Sequence, residues 1–486
     1  MQNKYYQLPT VEMLTQGAAS LGEDEKEICR RRGIINQTLR DFKIAGEVTD
    51  YKVGPRVTRF EITVLPGVKL KEIKGIVDNI AMHLGVSAVR LVPPDRQRQT
   101  VGIEIENTRW REIFAQPMLM SKKWDEFPGA LPLQIGKTWG DAPVIGCLAT
   151  APHILISGAT GTGKSVLMHD IIAGLLFKYR PEALKFILID FKIVEFGIYE
   201  NLPHLLAPII HDETKAAGAL RWIVDEIDRR FSLMREAEVR NIREYNNCRR
   251  EEDKIPYIVV IIDDLADLMT TDASEDVENS IVRIAQRGRA AGIHIIVATQ
   301  RPSTHIITQN IRMNLPTRFC FQVRSGVDSR VVLDAVGAEK LLGMGDMLMK
   351  TPASDSLERV QGAYIPDADL RRIAEFVSRQ AKPEFSPELL KEMEEYFPEY
   401  GKPLPRKADF LVVASKFIRE EDDDVVRQAI ALIILERRAS ASYLQRRLKL
   451  GYHRAVEILE ELEKRKLVSP VREDGKREIL ADFSQE

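Results

Sequence analysis

A glycine-rich segment at residues 158–170, "GATGTGKSVLMHD", carries the clearest chemistry in the sequence. Its first part follows the spacing G-x-x-x-x-G-K-[ST], in which backbone N–H groups surround phosphates and a hydroxyl ligates Mg²⁺. A strand-like run, "HILIS", precedes it and a helical run, "SVLMHDIIAGLLFKY", follows it, a context that a chance glycine-rich turn does not require. We expect Lys164 to reach the terminal phosphates and Ser165 to bind Mg²⁺. The residues predicted to bind the nucleotide are Gly158, Ala159, Thr160, Gly161, Thr162, Gly163, Lys164 and Ser165.

A pair of acids, Asp263 and Asp264, follows the apolar run of "YIVVIIDDLADLM". A phosphate-binding loop needs a carboxylate at the end of another strand, so Asp263 is predicted to hold Mg²⁺. Asp264 is predicted to orient the attacking water, a task that many related enzymes give to the longer side chain of glutamate. The alternative for both acids is to cap the next helix, because aspartate is favoured at helix N-termini.

Two further polar residues close predicted strands. Gln300 ends "GIHIIVATQ" and is expected beside the γ-phosphate, where it would sense hydrolysis. Asp190 ends "FILID", just before Lys192 and Glu195, and suits a supporting role in the site as well as a structural one. Ligands of open α/β sheets bind at the carboxyl ends of the strands. The ends of these strands and the lysine of the loop are therefore predicted to converge.

A mainly parallel sheet must position these residues. Continuous β-rich apolar runs indicate strands buried on both faces, namely "HILISG", "KFILID", "YIVVIIDD", "IHIIVAT" and "TRFCFQV". The predicted fold class is α/β, with a RecA-like P-loop NTPase motor over residues 126–380. An α+β domain is predicted over 1–125, from the alternating strand "GPRVTRFEITVLPGVKL" and the amphipathic helix "KEIKGIVDNIAMHLG". A segment rich in proline and charge predicts a linker with one short helix over 381–420, and a winged helix is predicted over 421–486.

Composition and charge exclude several classes of protein. A formal net charge of −2 over 486 residues gives no global signal for nucleic acid, so contact with a polyanion must depend on local patches or a pore lining. The four cysteines are scattered without metal-ligand spacing, as is typical of reduced thiols. We find no signal peptide and no apolar run long enough to span a membrane. We therefore expect a cytoplasmic chain that makes no membrane contact of its own.

The C-terminal segment "SASYLQRRLKLGYHRAVEILEELEKRKLV" predicts two helices around Gly451, and "VSPVREDGKREIL" predicts two strands that form a wing. The predicted core face of the second helix consists of Ala455, Ile458, Leu459 and Leu462. In helix-turn-helix modules the second helix enters the major groove of DNA. The basic residues predicted to bind DNA are Arg446, Arg447, His453 and Arg454 near the groove, and Arg472, Lys476 and Arg477 on the wing. The alternative is a solvated face of a winged helix that binds protein.

Together these segments resemble the FtsK/SpoIIIE family of DNA translocases. "RAAGIHIIVATQRPSTHIIT", "NLPTRFCFQV", "DSR" at 328–330 and "GAEKLLGMGDML" at 337–348 are similar to the motor signature of that family in order and spacing. "LIDFKIVEFGIYENLPHLL" resembles its second-strand segment. The first unit, from "QLPTVEMLT" to "VGIEIEN", is similar to the α domain of the family, and the C-terminal module is similar to its γ winged helix. The resemblance covers nearly the whole chain.

The resemblance implies a reaction and partners. Family motors form hexameric rings around double-stranded DNA, hydrolyse ATP with Mg²⁺ at subunit interfaces, and pump chromosomal DNA during cell division or partition. It also implies a site-specific recombinase as a partner of the C-terminal domain. Such rings complete each site with an arginine from the neighbouring subunit. Arg318 is the first candidate, followed by Arg324 and Arg330, and each of them also suits a structural ion pair or a pore contact.

The chain departs from the family pattern at several positions. It has His453 where the family usually has asparagine, and Glu457 where a basic side chain commonly contacts bases, while Glu460 matches an acidic position of the DNA-binding surface. We therefore expect altered recognition of the family's guanine-rich polar sequence. Asp264 replaces the usual glutamate, which predicts slower ATP turnover than in an Asp264→Glu variant. Two other functions fit the sequence: a related motor that moves a protein cargo, as in type VII secretion, and a DNA-binding scaffold that does not translocate.

Overall fold

The structure is a computed structural model of the whole chain, which divides into two compact units, residues 1–400 and 401–486. The residues that the structure describes are 6–17, 23–92, 100–271, 273–396, 417, 419, 422–436, 439–441, 444–445, 448, 450–465, 467–470, 477 and 479.

An antiparallel sheet and two helices form the first part of unit one. Its elements are α1 Glu25–Asp41, β1 Gly46–Val53, β2 Val57–Val64, α2 Leu70–Leu84, β3 Val89–Leu91 and β4 Thr100–Glu106. The strand order is β1-β2-β4-β3, with Phe60 of β2 between Tyr51 of β1 and Ile103 of β4. Helix α2 buries the apolar stripe that the sequence predicts, and it ends at Gly85, whose φ of 71° is the left-handed conformation common after helices.

The region that the sequence predicts as the motor follows in the same unit, and it is called the motor region below. Its elements are α3 Gln116–Leu119, α4 Lys122–Asp125, β5 Pro132–Thr138, β6 Pro143–Cys147, β7 His153–Ser157, α5 Lys164–Leu176, β8 Leu184–Ile189, α6 Glu213–Glu236, α7 Ile242–Asn247, β9 Tyr257–Ile262, α8 Leu265–Met269, α9 Ser274–Ala291, β10 Ile293–Thr299, α10 Gln309–Asn314, β11 Thr317–Phe321, α11 Gly326–Leu333, β12 Asp346–Thr351, β13 Ser354–Gly362, α12 Asp367–Ser378 and α13 Pro387–Glu395. Short 3-10 helices lie at Val11–Met13, Gly197–Tyr199, Glu251–Asp253 and Ala338–Lys340.

The strands of the motor form a nine-stranded sheet in the order β6-β5-β13-β12-β11-β7-β10-β9-β8. Strands β11, β7, β10, β9 and β8 run parallel, and they are the five strands predicted from the apolar runs. Strands β12, β13, β5 and β6 extend the sheet in antiparallel fashion. The sequence did not predict this extension, because segments such as "SDSLERVQG" and "PLQIGKT" contain no continuous apolar run.

Helices cover both faces of this sheet, as an α/β fold requires. Helices α5 and α12 pack on one face, and α6, α8 and α9 pack on the other. Ser157 of β7 lies in register with Thr299 of β10, and Val297 of β10 lies in register with Ile262 of β9. The carboxyl ends of these three strands therefore meet at one edge, where the phosphate-binding loop begins.

Two segments near the predicted boundaries pack against the motor region. Tyr6 and Leu14, in the range 1–125 predicted for the first domain, are buried in the core of the motor region. Within the predicted linker 381–420, α13 packs against α6 and buries Leu389 and Met393 in the core of the opposite face. An amphipathic helix between proline-rich stretches resembles a linker in sequence, but its apolar face is covered here.

Among its described residues, the second unit contains the helices α14 Asp424–Glu436 and α15 Tyr452–Lys464. Antiparallel bridges join Ala439 to Arg477 and Val468 to Ile479. The predicted core face of α15 is confirmed, since its members are almost fully buried: Ala455, Ile458, Leu459 and Leu462.

Candidate functional site

The loop between β7 and α5 is a tight turn that needs glycine at two positions. Gly161 and Gly163 have φ angles of 79° and 115°, and a Cβ on Gly163 would lie 2.8 Å from the backbone nitrogen of Gly345. That nitrogen donates a 2.8 Å hydrogen bond to the carbonyl of Thr162, which holds the loop in place. Helix α5 begins at Lys164, so its free N–H groups and its dipole favour an anion beside the loop.

Lys164 and Asp263 form a buried ion pair at this edge. The Lys164 ammonium donates to the backbone oxygen of Asp263 over 2.8 Å and also to its carboxylate, and both side chains are buried. Burial raises the pKa of Asp263, and the ammonium of Lys164 opposes that rise. The structure thus places the predicted metal-binding carboxylate directly beside the predicted phosphate-binding lysine.

Asp264 is held by three donors. Its Oδ1 accepts from the backbone N–H of Ala266 and from the hydroxyl of Thr299, both over 3.2 Å, and its Oδ2 accepts from the ammonium of Lys192 over 2.8 Å. Asp264 is therefore the N-cap of α8, which was the alternative role expected for this aspartate. Its side chain is only 6% exposed, so little of the carboxylate remains for a further ligand.

A carboxylate that sequence reasoning did not select, Glu195, contacts the loop directly. Its Oε1 accepts a 2.9 Å hydrogen bond from the hydroxyl of Ser165, and its Oε2 lies 3.8 Å from Nε2 of His169. The nearby His169 imidazole lowers the pKa of Glu195, burial opposes this effect, and the hydrogen bond from the Ser165 hydroxyl adds to the lowering. The side chain is 28% exposed, so it remains accessible to a ligand.

The carboxylate of Asp190 organises the turn that carries Glu195. It accepts from the backbone N–H groups of Lys192, Glu195 and Phe196 at 3.1, 2.9 and 3.1 Å. Ile193 in this turn has a φ of 58°, which is unusual for a β-branched residue and is the kind of strain that occurs at functional sites. The sequence signal for Glu195 was an acid shortly after a strand-ending aspartate, which does not reveal that the chain turns back toward the loop.

Gln300 joins the same site, because its Oε1 accepts a 2.8 Å hydrogen bond from the hydroxyl of Thr160 in the loop. A cavity of about 470 Å³ lies over the loop, a volume suited to a small-molecule ligand. Lys164, Ser165, Glu195 and Gln300 line one part of it. The other lining residues come from the loop and from positions 110, 112–113, 166, 344–345 and 361–364. The acids that follow β9, Asp263 and Asp264, do not line this cavity.

A buried ion network supports the wall of the cavity. The Arg359 guanidinium donates to Glu104 over 2.8 Å and to both oxygens of Asp346 over 2.9 and 2.6 Å, and Arg90 also donates to Glu104. Because Asp346 follows Gly345, the network fixes the turn that contacts the phosphate-binding loop. Glu104 lies on β4, so the antiparallel sheet of the N-terminal region takes part in positioning the site.

Arg318, the first candidate for an arginine that a neighbouring subunit contributes, is bonded within its own chain. Its guanidinium is 8% exposed and donates to the carbonyls of Leu315, Val332 and Arg312 and to the carboxylate of Asp334, at distances of 2.6–3.0 Å. Reaching a neighbouring subunit would break every one of these bonds, so we expect a structural role. Arg324 and Arg330, the other candidates, are exposed.

The described DNA-binding candidates of the second unit lie on the surface with one exception. His453, Arg454 and Glu460 are exposed. Arg454 pairs with Asp423 over 2.7 Å and with Glu457 over 3.1 Å. The exception is Arg477, which is 6% exposed and bonds to Glu463 and to the carbonyl of Ser469, so it supports the fold and is not free to contact DNA. Other candidates lie outside the described residues: Arg446, Arg447, Arg472 and Lys476.

Across the part of the chain that the structure describes, no helix combines the length and the apolar character needed to cross a bilayer.

Comparison with known proteins identifies the modules. The signature of the FtsK/SpoIIIE family matches residues 116–304, that of the FtsK alpha domain matches 8–107, and that of the Ftsk gamma domain matches 420–482. A solved structure, the pCW3 conjugation coupling protein TcpA in its monomer form with ATPγS, aligns with a TM-score of 0.51 and 23% identity, covering 71% of this chain and 99% of that chain. At this identity the likeness shows the fold alone.

Two relatives are similar along nearly the whole chain. DNA translocase FtsK of Helicobacter pylori strain J99 is 40% identical over 99% of this chain, which covers 55% of that relative. DNA translocase SftA of Bacillus subtilis strain 168 is 38% identical over 99% of this chain, which covers 48% of that relative. The chain thus spans about half the length of these relatives. With the alpha, motor and gamma signatures matched in order along one chain, the protein belongs to the FtsK/SpoIIIE family.

Proposed function

We propose that the chain is a motor that hydrolyses ATP to move along double-stranded DNA. The observation that carries the proposal is the convergence of Lys164, Ser165, Glu195 and Gln300 on one cavity above a phosphate-binding loop. This site lies in a chain whose alpha, motor and gamma signatures stand in the order of the FtsK/SpoIIIE family. Its relatives of similar sequence carry the name DNA translocase.

The residues of the loop fit a nucleotide bound with Mg²⁺. Within the described residues, no group of three or more His, Cys, Asp or Glu side chains forms a metal centre by itself. Protein sites for Mg²⁺ commonly use one or two carboxylates and share the ion with phosphates. The hydroxyl of Ser165 and the carboxylate of Asp263, beside the ammonium of Lys164, provide such a set. The ion would supply charge neutralisation at the phosphates.

We assign the attacking water to Glu195 in place of Asp264. The carboxylate of Glu195 lines the cavity, whereas that of Asp264 is occupied by Lys192, Thr299 and the N–H of Ala266. A base must lie within hydrogen-bond reach of the water that it orients. Asp264 is then a positioning residue, which holds the start of α8 and, through Lys192, the turn that carries Glu195.

We further propose that copies of this chain form a ring, a hexamer in keeping with its family, that encircles duplex DNA. The exposed residues Arg324 and Arg330 replace Arg318 as candidates for the arginine that a neighbouring subunit contributes. Chromosomal DNA as the substrate would place the motor in the cytoplasm and link it to cell division and chromosome partition. A recombinase that contacts the C-terminal domain remains a prediction from the resemblance.

The test combines hydrolysis with movement. ATP turnover is measured with and without linear duplex DNA, and translocation is measured by displacement of a DNA triplex. We expect strong stimulation by duplex DNA and loss of displacement in Lys164→Ala. Tight DNA binding without stimulated hydrolysis would instead identify a scaffold, and hydrolysis that ignores DNA would point to another cargo.

A further inference from the structure

One polar atom in the wall of the cavity lacks a partner. Gln361, the penultimate residue of β13, is 9% exposed and lines the cavity over the loop. Its side-chain oxygen Oε1 is buried and has no hydrogen-bond partner among the described residues. Leaving a buried amide oxygen without a donor is unfavourable, so such an atom calls for a ligand that supplies one.

The orientation of this amide is fixed by its other end. Nε2 of Gln361 donates a 2.9 Å hydrogen bond to the carbonyl of Met344. Rotating the amide by half a turn would place Oε1 against that carbonyl, and two acceptors would then face each other. Oε1 is therefore the atom left for a ligand, and the second proton of Nε2 is a donor beside it.

Gln361 also lies at a defined place relative to the phosphate-binding loop. A Cβ on Gly345 would meet Nε2 of Gln361 at 2.7 Å, and Gly345 itself donates to Thr162 of the loop. Gly345, Gly362 and Gln361 thus form a continuous wall, because the N–H of Gly362 donates to Gly345 over 2.7 Å. The amide is separated from the loop by a single residue in contact with both.

The wall beyond Gln361 is suited to a flat apolar group. Ile113 and Ala363 are buried and line the cavity next to the aromatic rings of Trp110 and Tyr364. The N–H of Tyr364 donates to the carbonyl of Ile113 over 2.8 Å, which joins the two strips of chain that carry these side chains. Aromatic and apolar side chains with a few placed polar groups are typical of pockets for small molecules.

We propose that this wall is the nucleobase subsite and that Gln361 selects adenine. The exocyclic amine at C6 of adenine would donate to Oε1, and the second proton of Nε2 would donate to a ring nitrogen, a pairing that suits glutamine and adenine. A base with oxygen at C6, as in inosine or guanine, turns an acceptor toward Oε1. The inference rests on the proposed function only in requiring that the loop binds nucleotide phosphates.

The test is nucleotide binding rather than turnover. A fluorescent, ribose-labelled ADP is bound to the full chain and displaced by ADP, by inosine diphosphate and by purine riboside diphosphate, which has no substituent at C6. We expect ADP to bind about tenfold to a hundredfold more tightly than inosine diphosphate, because one hydrogen bond is lost and two acceptors meet. The affinity of purine riboside diphosphate should lie between those of ADP and inosine diphosphate.

Gln361→Met should bring the affinities of ADP and inosine diphosphate within about threefold of each other, chiefly by weakening ADP. Gln309→Met is the matched control, because it makes the same change at an exposed position of α10 outside the cavity, and its ratio of the two affinities should stay that of the unaltered chain. Equal binding of the two diphosphates by the unaltered chain would overturn the inference, and so would discrimination that survives in Gln361→Met. Failure of the chain to bind any nucleotide would instead overturn the proposed function. If Gln361→Met is unstable, the analogue series on the unaltered chain still tests the inference, because equal binding would overturn it.

Discussion

The carboxyl edge of the parallel sheet and the exposed face of α15 both carry charged residues that the sequence predicts for function, but they hold them differently. At the sheet edge, Lys164 and Asp263 are buried against each other and bonded to the main chain. On α15, Arg454 is 46% exposed and pairs with carboxylates that are themselves exposed. Charges of the first kind have one geometry, whereas charges of the second kind can exchange partners with little cost.

Substitutions in the two regions should therefore have different effects. Removing one member of a buried pair leaves an uncompensated charge, so activity and stability change together. Removing an exposed arginine changes only what it binds. Arg477 shows that residue type alone does not tell a buried charge from an exposed one, since this arginine is 6% exposed and bonded to Glu463.

The largest effect is expected at the buried pair. Lys164→Ala should lower DNA-stimulated ATP hydrolysis about a thousandfold, because it removes the cation that stabilises charge on the terminal phosphates. Lys178→Ala is the matched control, since Lys178 follows the same helix and pairs with Asp125 over 3.7 Å outside the cavity. It should keep its rate within about twofold, because it contacts neither the loop nor the cavity. Equal rates for the two variants would show that ATP is not hydrolysed at this edge of the sheet.

Arg318 tests whether a buried arginine is structural. Arg318→Met should lower the free energy of unfolding by about 3 kcal/mol, because Asp334 and three carbonyls lose their donor. Arg330→Met, at an exposed position, should change it by less than about 0.5 kcal/mol. Denaturant unfolding measures both. If Arg318→Met unfolds like the unaltered chain but loses hydrolysis, then Arg318 acts in the site after all.

Much of this architecture could be predicted from the sequence, because it depends on local pattern. Apolar runs identify the five parallel strands, and the spacing of glycine, lysine and serine identifies the loop. Contacts between distant segments could not be predicted in this way. Glu195 reaches Ser165, and Gln361 reaches Met344, only because the chain turns back at Ile193 and at residues 343–345.

The burial of Arg318 is a second feature that could not be predicted from the local sequence. This arginine was the first candidate for an arginine that reaches a neighbouring subunit, but residues 312 to 334 fold around it and supply every acceptor. A local pattern gives the element on which a residue lies. It does not give the depth at which that element packs.

Variants of Glu195 and Asp264 test which of these two carboxylates at the sheet edge acts on the attacking water. Glu195→Gln should lower the maximal rate of hydrolysis about a hundredfold while leaving the affinity for ATP within about threefold, as expected for a base that acts on the water. Asp264→Asn should mainly reduce stability, because it weakens the bond to Lys192. Asp264→Glu should not raise turnover, because Asp264 caps α8 and Glu195 acts on the water. If Glu195→Gln leaves the rate unchanged and Asp264→Asn lowers it strongly, then Asp264 is the residue that orients the attacking water.

The smallest effect is expected on α15, where the charges are solvated. Arg454→Ala should weaken binding of duplex DNA about threefold and reduce the slope of affinity against salt by about one, if its guanidinium leaves Asp423 and Glu457 for a phosphate. Glu457→Gln should strengthen binding about threefold, because it removes a competing carboxylate beside the DNA. Lys464→Ala, at the far end of the same helix, is the control and should leave the slope unchanged.

These differences isolate the contribution of the C-terminal domain even if the motor region also contacts DNA. A contribution of the motor is the same in each variant, and it cancels when distant sites act independently. Fluorescence anisotropy over a range of salt concentrations gives the slopes directly. An unchanged slope in Arg454→Ala would mean that this arginine keeps its carboxylates when DNA binds. The exposed face of α15 would then resemble the sheet edge in holding its charges for structure, and DNA would have to meet another surface of the domain.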